Sequence, residues 1–246
     1  MTFTLPDPLV AALRKAQSIA VLTGAGISAE SGVPTFRDAQ AGLWSRYDPQ
    51  ELATADGFAM NPKLVWEWYA WRRQLIAKAQ PNRGHLALAQ LQDRFAGYAL
   101  ITQNVDGLHE RAGSRNVIEL HGNITRTKCF IEHIPVTEWS EDEDIPPRCP
   151  RCGAWLRPDV VWFGEELPKA ALAEAELAAQ TCEIFFSVGT SSQVYPAAGL
   201  ADLVKAGGAI VVEINPDETP LTPLATYSLR GAAGDILPCI AAAVVR

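Results

Sequence analysis

The chain has 246 residues, of which 48% are apolar and 20% are charged, and its formal net charge is −7. This length can bury one large hydrophobic core with a small satellite unit, and the acidic balance argues against direct binding of nucleic acid. No apolar run reaches the roughly 20 residues of a membrane span, and the first eight residues lack the pattern of a signal peptide. We therefore expect a soluble cytoplasmic protein whose five cysteines are metal ligands or buried thiols rather than disulfides.

Short apolar segments alternate with helical patterns along the chain. Strands are expected at residues 18–23, 97–102, 116–120, 183–188 and 208–214, and helices at 8–17, 62–79, 85–94 and 235–245. Each strand is followed by small or polar residues, as in a parallel sheet whose carboxyl ends line a ligand crevice. The pattern predicts an α/β fold, a Rossmann-like parallel sheet with helices on both faces. Residues 39–58 contain many turn-forming residues, and we expect a mobile segment with short helical turns there.

The first strand runs into a G-x-G-x-x-A motif made by Gly24, Gly26 and Ala29. In such a turn the first glycine permits the bend, the second lets a phosphate approach the backbone, and the alanine allows close packing of helix on strand. Exposed N–H groups and the helix dipole would then attract a pyrophosphate. The same spacing also suits a tight turn that binds nothing, so this motif alone does not decide between the two.

The helix predicted at residues 62–79 carries two features. Apolar residues at helical spacing predict a buried stripe, formed by Leu64, Val65, Trp68, Trp71, Leu75 and Ile76. Tyr69 and Arg72 lie three positions apart at the flank of that stripe, so their side chains can converge on one object. Alternatively, the stem of Arg72 packs on Trp68 with its charged end in solvent.

The composition changes between residues 124 and 160, where we expect a small module resembling a zinc ribbon. Cys149 and Cys152 form a C-x-x-C half-site whose two thiolates can bind one tetrahedral ion. The other half-site is incomplete, because Glu132 stands where a second cysteine would follow Cys129. The three cysteines with Glu132, His133 or water could hold zinc, and a metal-free ribbon is the alternative.

Seven motifs occur in the order and approximate spacing of the sirtuin family. They are GAGIS at 24–28, PTFR at 34–37, TQNVD at 102–106, LHG at 120–122, VWFGE at 161–165, GTS at 189–191 and IN at 214–215. Over essentially its whole length the chain resembles a bacterial sirtuin, an NAD-dependent protein-lysine deacylase. The resemblance implies a Rossmann-like domain over residues 1–123 and 161–246, with an insertion at about 33–80, and the small module at 124–160.

The resemblance also implies roles for individual residues. His121 would be the general base and Asn104 the other catalytic residue. The pyrophosphate would lie on Gly24, Ala25, Gly26, Ile27 and Ser191. Nicotinamide and its ribose would lie near Phe36, Arg37, Gln103, Asn104 and Asp106, and adenosine near Gly189, Thr190, Asn215 and Ala233. A neutral histidine suits the task of taking a proton from a ribose hydroxyl, although a histidine at a strand end can also be purely structural.

The implied substrate is an acylated lysine of a protein, and the implied products are nicotinamide, free lysine and O-acyl-ADP-ribose. The substrate peptide would pair with Val161, Phe163, Gly164 and Glu165 by strand addition, although an apolar run with Trp162 and Phe163 is more often a core strand. Tyr69 and Arg72 match the Tyr-x-x-Arg pair of sirtuins that remove succinyl, malonyl or glutaryl groups. Ala53 matches a small residue that leaves room for a longer acyl chain. Zinc would be structural, on Cys129, Cys149 and Cys152.

Two other classes of protein remain as alternatives. A Rossmann dehydrogenase would need an acidic residue about 20 positions after the glycines, at the end of a second strand. Asp38 and Asp48 are near that distance, but neither follows an apolar run. A non-catalytic zinc-ribbon binding module would use the cysteines but leave residues 103–106 and His121 without a role. We expect the protein to be a monomer.

Overall fold

The computed structural model describes residues 3–34, 49–139 and 144–244. Two sheets are present in this part of the chain. Their strands are β1 Ser18–Thr23, β2 Gly97–Thr102, β3 Ile118–Glu119, β4 Gly122–Cys129, β5 Leu156–Val160, β6 Ile184–Val188, β7 Ile210–Ile214 and β8 Tyr227–Leu229. Six of them form a parallel sheet in the order β3-β2-β1-β6-β7-β8, and β4 and β5 form an antiparallel ribbon.

The strand order of the large sheet is that of a doubly wound nucleotide-binding fold. Without the ribbon strands it reads 3-2-1-4-5-6, and the chain reverses its direction of winding between β1 and β6. In sheets of this kind a ligand binds at the carboxyl ends of the two strands on either side of that reversal. The predicted fold class is therefore confirmed, and the order of the strands locates the crevice.

The helices lie on both faces of the large sheet and in the inserted segment. They are α1 Asp7–Lys15, α2 Gly26–Ala29, α3 Pro49–Leu52, α4 Ala55–Met60, α5 Pro62–Lys78, α6 Arg83–Gln92, α7 Leu108–Arg111, α8 Lys169–Thr181, α9 Leu200–Ala206 and α10 Ala233–Val244. Helices α1, α6 and α10 pack on one face of the sheet through one apolar cluster. Helices α8 and α9 pack on the opposite face through a second cluster.

Two strands differ from the prediction. The third strand was expected at residues 116–120 but covers only Ile118–Glu119. It cannot begin at Asn116, because the φ of 54° at that residue is incompatible with extended backbone. Strand β8 was not predicted, since its three residues, Tyr227–Leu229, give too short a pattern. It pairs with β7 at the edge of the sheet, where few apolar residues are needed.

Helix α5 begins at the predicted residue and ends one residue earlier than predicted, and its buried face is different. Asn61 caps its start by accepting a hydrogen bond from the backbone N–H of Leu64, at 3.2 Å. Trp71 and Leu75 are 36% and 38% exposed, so two members of the predicted stripe are wrong. The buried face instead carries Val65, Trp68, Tyr69 and Ile76.

This face of α5 belongs to a third apolar cluster, which joins the inserted helices to the ribbon. It contains Phe58 of α4, Trp68 of α5, Ile124 of β4 and Trp162 just after β5. The predicted mobile segment at 39–58 lies partly outside the described residues, and from residue 49 onwards it forms the expected short helices α3 and α4. No helix in the described ranges is long and apolar enough to cross a membrane.

Candidate active site

Two loops meet at the point where the sheet reverses its winding. The loop after β1 contains Gly24 and Gly26, and the loop after β6 contains Gly189. The N–H of Gly24 donates to the carbonyl of Val188 at 3.0 Å, and the N–H of Gly26 donates to the carbonyl of Gly189 at 2.8 Å. A Cβ on Gly26 would lie 2.7 Å from the Cα of Gly189. These glycines are therefore needed because two backbones touch.

This contact changes the reason predicted for the glycine motif. The motif was interpreted as room for a phosphate, with Ala29 packing the helix on the strand. Ala29 is exposed, and the buried residues of α2 are Ile27 and Ser28. Helix α2 has only four residues, so its dipole contributes less to anion binding than that of a full helix. The crevice between the two loops still suits a pyrophosphate, because small residues line both of its sides. They are Ala25 and Gly26 in one loop and Ser191 in the other.

The loop after β2 places three polar side chains beside the glycine loop. Gln103 donates from Nε2 to the hydroxyl of Thr190 at 3.1 Å. Asn104 donates from Nδ2 to the carbonyl of Gly24 at 3.0 Å and to the hydroxyl of Ser28 at 3.2 Å. Buried Asp106 accepts a 2.7 Å bond from that same hydroxyl. Three of the residues that the sequence assigns to nicotinamide and its ribose thus lie beside the glycine loop, and Ser28 connects Asn104 with Asp106.

Ser28 belongs to a buried polar group that the sequence did not predict. His85 of α6 reaches Ser28, with Nε2 3.5 Å from the hydroxyl, and the ring of His109 lies 4.9 Å from that of His85, tilted by 57°. Nε2 of His109 lies 2.9 Å from the hydroxyl of Thr23. Burial lowers the pKa of His85 to about 4 and that of His109 to about 3, so both rings are neutral at pH 7. No local pattern marks these contacts, because the two hydrogen bonds join residues 57 and 86 positions apart.

His121 stands directly after β3, at the same carboxyl edge of the sheet. Its Nδ1 lies 2.9 Å from the carbonyl oxygen of Gln103. A carbonyl can only accept, so Nδ1 carries the proton and Nε2 is the basic nitrogen of the neutral ring. Burial lowers the pKa of His121, and the hydrogen bond to Gln103 partly opposes this shift. The side chain is therefore a neutral, oriented base at pH 7.

The residues assigned to adenosine line the far side of the loop after β6. Gly189 has a φ of 60°, and its N–H donates to the carbonyl of Ile214 at 2.9 Å. The side chain of Asn215 donates to the carbonyl of Thr190 at 2.9 Å and so joins the ends of β6 and β7. Ala233 lies buried at the start of α10. Phe36 and Arg37, which were assigned to nicotinamide, lie outside the described residues.

Beside the crevice, the third apolar cluster contains Ala53, Tyr69 and Trp162. The guanidinium of Arg72 lies 4.8 Å from the ring centre of Trp68 and 5.7 Å from that of Tyr69. Burial raises the pKa of Tyr69 and lowers the pKa of Arg72, and their mutual attraction partly opposes both shifts. The structure thus brings the phenol and the guanidinium together, as the helical spacing predicts, within a largely apolar environment.

The segment 161–165 connects this cluster to His121. The N–H of Val161 donates to the carbonyl of His121, and the N–H of Phe163 donates to the carbonyl of Ala53, both at 2.9 Å. Trp162 is buried, whereas Phe163 is 48% exposed and Gly164 has a φ of 86°. The N–H of Glu165 donates to the carbonyl of Trp162 at 3.0 Å, so the segment turns over residues 162–165 and exposes Phe163 and Gly164.

Three of the five cysteines, Cys129, Cys149 and Cys152, converge at the far end of the ribbon. One ligand atom from each of Cys129, Glu132, Cys149 and Cys152 lies within 4.8 Å of the others. The exposed side chain of His133 is not among them. Three thiols with one carboxylate are a donor set that suits tetrahedral zinc, so the four residues fit a structural metal site. Arg151 lies near the same carboxylate, 3.6 Å from Oε2 of Glu132.

Comparisons with known proteins agree with this arrangement. A model of the Sir2 family matches residues 24–196. An NAD-dependent protein deacylase of Aquifex aeolicus is 56% identical over 217 residues, which cover 88% of this chain and 90% of that protein. NAD-dependent protein deacylase 1 of Pseudomonas aeruginosa is 50% identical, over 94% of this chain and 95% of its own.

Solved structures give the same result. A Sir2 homologue in complex with NAD superposes with a TM-score of 0.90 at 46% identity, and the match covers 99% of this chain and 95% of that one. A complex of Sir2 with a p53 peptide and NAD+ superposes with a TM-score of 0.84 at 32% identity, covering 96% of each chain.

Proposed function

The chain belongs to the Sir2 family and is an NAD-dependent protein deacylase, and we propose that it acts preferentially on lysines whose acyl group ends in a carboxylate. The NAD cosubstrate supplies the ADP-ribosyl group that accepts the acyl group, with release of nicotinamide. The roles that follow for individual residues are part of this proposal.

His121 acts as the general base. With Nδ1 held by the carbonyl of Gln103, the lone pair of Nε2 can take a proton from a ribose hydroxyl. Asn104 and Asp106 are fixed by Ser28 and the glycine loop, so they hold the ribose without moving themselves. Their preorganisation supports the orientation of the sugar relative to the base.

The acylated lysine enters along residues 161–165. Phe163 and Gly164 are exposed at the turn of this segment, where an extended peptide can contact them and gain affinity through backbone bonds. The acyl group then points from the crevice toward the cluster that holds Ala53 and Tyr69. This geometry lets one substrate reach His121 and the Tyr69–Arg72 pair at the same time.

The observation that carries the acyl preference is the position of half-buried Arg72 beside Tyr69, with its guanidinium 5.7 Å from the centre of the phenol ring. Partial loss of hydration lowers the pKa of Arg72, and an incoming carboxylate would compensate for that loss. Arginine presents a planar fork that matches a carboxylate, and the raised pKa of Tyr69 keeps its hydroxyl protonated as a second donor. An acetyl group has no charge to offer to this pair.

The proposal is tested by steady-state kinetics of Arg72→Met and Tyr69→Phe on acetyl and succinyl versions of one peptide. A hydrogen bond to a charged group contributes roughly 1.5–3 kcal/mol, so each variant should lose about tenfold to a hundredfold in kcat/KM on succinyl-lysine. The rate on acetyl-lysine should hardly change.

Arg83→Met is a matched control for Arg72→Met, because the side chain of Arg83 is 72% exposed and pairs with Asp235 at the protein surface. It should leave both substrates unchanged. Equal losses on the two peptides, or no loss on either, would show that the pair does not select the acyl group and would leave a general deacetylase.

The dehydrogenase and the non-catalytic module are not supported. Among the described residues the strand that follows β1 begins at Gly97, far beyond the roughly 20 residues of a dinucleotide-binding fingerprint, and in the sequence neither Asp38 nor Asp48 follows an apolar run. A binding module would not need the buried polar group around Ser28 or the oriented His121. We further propose a cytoplasmic monomer without affinity for nucleic acid, on the basis of metal-binding thiols, which require a reducing compartment, and of the net charge of −7.

A further inference from the structure

The hydroxyl of Tyr69 interacts with Arg72 and also accepts a hydrogen bond from a second side chain. The indole Nε1 of Trp162 lies 2.9 Å from the Tyr69 oxygen, and both side chains are buried. An indole N–H can only donate, so the oxygen of Tyr69 is the acceptor and its own hydrogen must point elsewhere. A phenol hydrogen lies near the plane of the ring, which leaves two directions, and the indole N–H occupies one of them.

We propose that Trp162 is a positioning residue that aims the hydroxyl of Tyr69 at the carboxylate of an acidic acyl group. The inference rests on the proposed function, since it assumes that Tyr69 contacts that carboxylate. With the indole on one side, the hydroxyl hydrogen is turned to the other side before the substrate arrives. Donating to the carboxylate then requires no reorientation.

The Tyr69 ring is fixed by its neighbours. The ring of Trp68 lies edge-on to it, with centroids 4.6 Å apart, and the ring of Trp162 lies 6.3 Å away. Rotation of the phenol within this packing would break the bond to the indole N–H. The direction of the hydroxyl is therefore set by Trp162 and not by Tyr69 alone.

Trp162 is itself clamped on three sides. The guanidinium of Arg157 stacks 3.3 Å from the centre of its ring, and the ring of Phe58 lies 5.3 Å away. The carboxylate of Glu165 accepts the backbone N–H of Trp162 at 2.8 Å and forms a two-pronged ion pair with fully buried Arg157. Because Glu165 neutralises Arg157, the charge of Arg157 is already matched within the protein.

The clamp also connects two parts of the substrate. Phe163 and Gly164, which the peptide contacts in the proposed function, lie between Trp162 and Glu165 in the sequence. One rigid unit therefore sets both the course of the peptide and the direction of the donor at the end of the acyl chain. A change in the clamp should affect long acidic acyl groups more than acetyl.

The test is Trp162→Phe, which keeps an aromatic ring and removes the N–H. We expect a roughly three- to tenfold loss in kcat/KM on succinyl-lysine with little change on acetyl-lysine. In a Tyr69→Phe background the same substitution should not change the succinyl-to-acetyl ratio further. A merely structural role would lower both rates and would persist in that background. Trp155→Phe, in the ribbon, is the control for loss of an indole, and it should leave the ratio unchanged.

A second measurement does not depend on the folding of Trp162→Phe. The chain has seven tryptophans, and with 15N-labelled indoles the signal that moves in Tyr69→Phe identifies Trp162. In the wild type, a succinyl peptide should shift this signal, because donation by Tyr69 strengthens its oxygen as an acceptor. An acetyl peptide should not shift it. Equal shifts with both peptides, or no indole signal that responds to Tyr69→Phe, would overturn the inference.

The two proposals fail in different ways. If Tyr69→Phe does not change the succinyl-to-acetyl ratio, the proposed function fails. Only the role of Trp162 is wrong if Tyr69→Phe lowers that ratio, Trp162→Phe leaves it unchanged, and the succinyl peptide does not shift the indole signal.

Discussion

The buried histidines His85 and His109 should make the protein sensitive to mild acid. In the folded protein their pKa values are about 4 and about 3, whereas an unfolded histidine has its ordinary value of 6.5. Below pH 6.5 the unfolded chain binds protons that the folded chain does not. Stability is therefore complete above about pH 6.5 and is lost as the pH falls toward 4 for His85 and toward 3 for His109.

The size of the effect follows from these values. Between pH 6.5 and pH 5 an unfolded histidine becomes almost fully protonated while His109 stays neutral, which costs about 1.6 kcal/mol of unfolding free energy. His85 contributes nearly the same amount, so together they account for about 3 kcal/mol. This is a large share of the roughly 5–15 kcal/mol that stabilises a typical domain.

The assay is urea unfolding at pH 6.5 and pH 5 for the wild type, His109→Gln and His133→Gln. His109→Gln removes one titrating ring, so its loss between the two pH values should be smaller by about 1.6 kcal/mol. His133 is exposed, and His133→Gln should behave as the wild type does. Carboxylates contribute equally in all three proteins. The same pH dependence in His109→Gln and the wild type would refute the reasoning.

Three further outcomes are expected. His121→Ala should lower deacylation by about 10²–10⁴ while NAD binding and the melting temperature are retained, as measured by kinetics, calorimetry and thermal unfolding; wild-type turnover would show a structural histidine. Metal analysis should find about one zinc per chain, and Cys149→Ser should release the zinc and lower the melting temperature. Two tightly bound ions would contradict a single site made by Cys129, Glu132, Cys149 and Cys152. Gly189→Ala should weaken NAD binding in a calorimetric titration, because its Cβ would lie 2.5 Å from the amide nitrogen of Ile27; unchanged affinity would contradict this contact.

The sequence predicted the large sheet well because its strands are buried on both faces. Strands such as β1 and β6 are short runs of apolar residues followed by glycine, a pattern typical of the buried strands of a parallel sheet. Strand β8 was missed because an edge strand needs no such run. The buried face of α5 was predicted incorrectly, since tertiary contacts with the ribbon bury Tyr69 and leave Trp71 exposed.

For the candidate site, the sequence identified the residue types but not the partnerships. Gly26 was recognised, yet the reason for it is the backbone of Gly189, which follows a different strand. The sequence left the fourth metal ligand open among Glu132, His133 and water, and only the course of the chain after β4 brings the carboxylate of Glu132 to the thiols. The bond between Trp162 and Tyr69 spans 93 positions, and no local pattern indicates it. Contacts of this kind depend on packing.

The central claim is tested most directly by the wild-type protein alone. The kcat/KM of NAD-dependent deacylation should be measured on one peptide carrying acetyl-lysine or succinyl-lysine at the same position, with nicotinamide release as the readout. We predict that nicotinamide release requires the acylated peptide. The kcat/KM on succinyl-lysine should be at least about tenfold higher than on acetyl-lysine, the value of one charge-assisted hydrogen bond. An efficiency on acetyl-lysine equal to or above that on succinyl-lysine would contradict it.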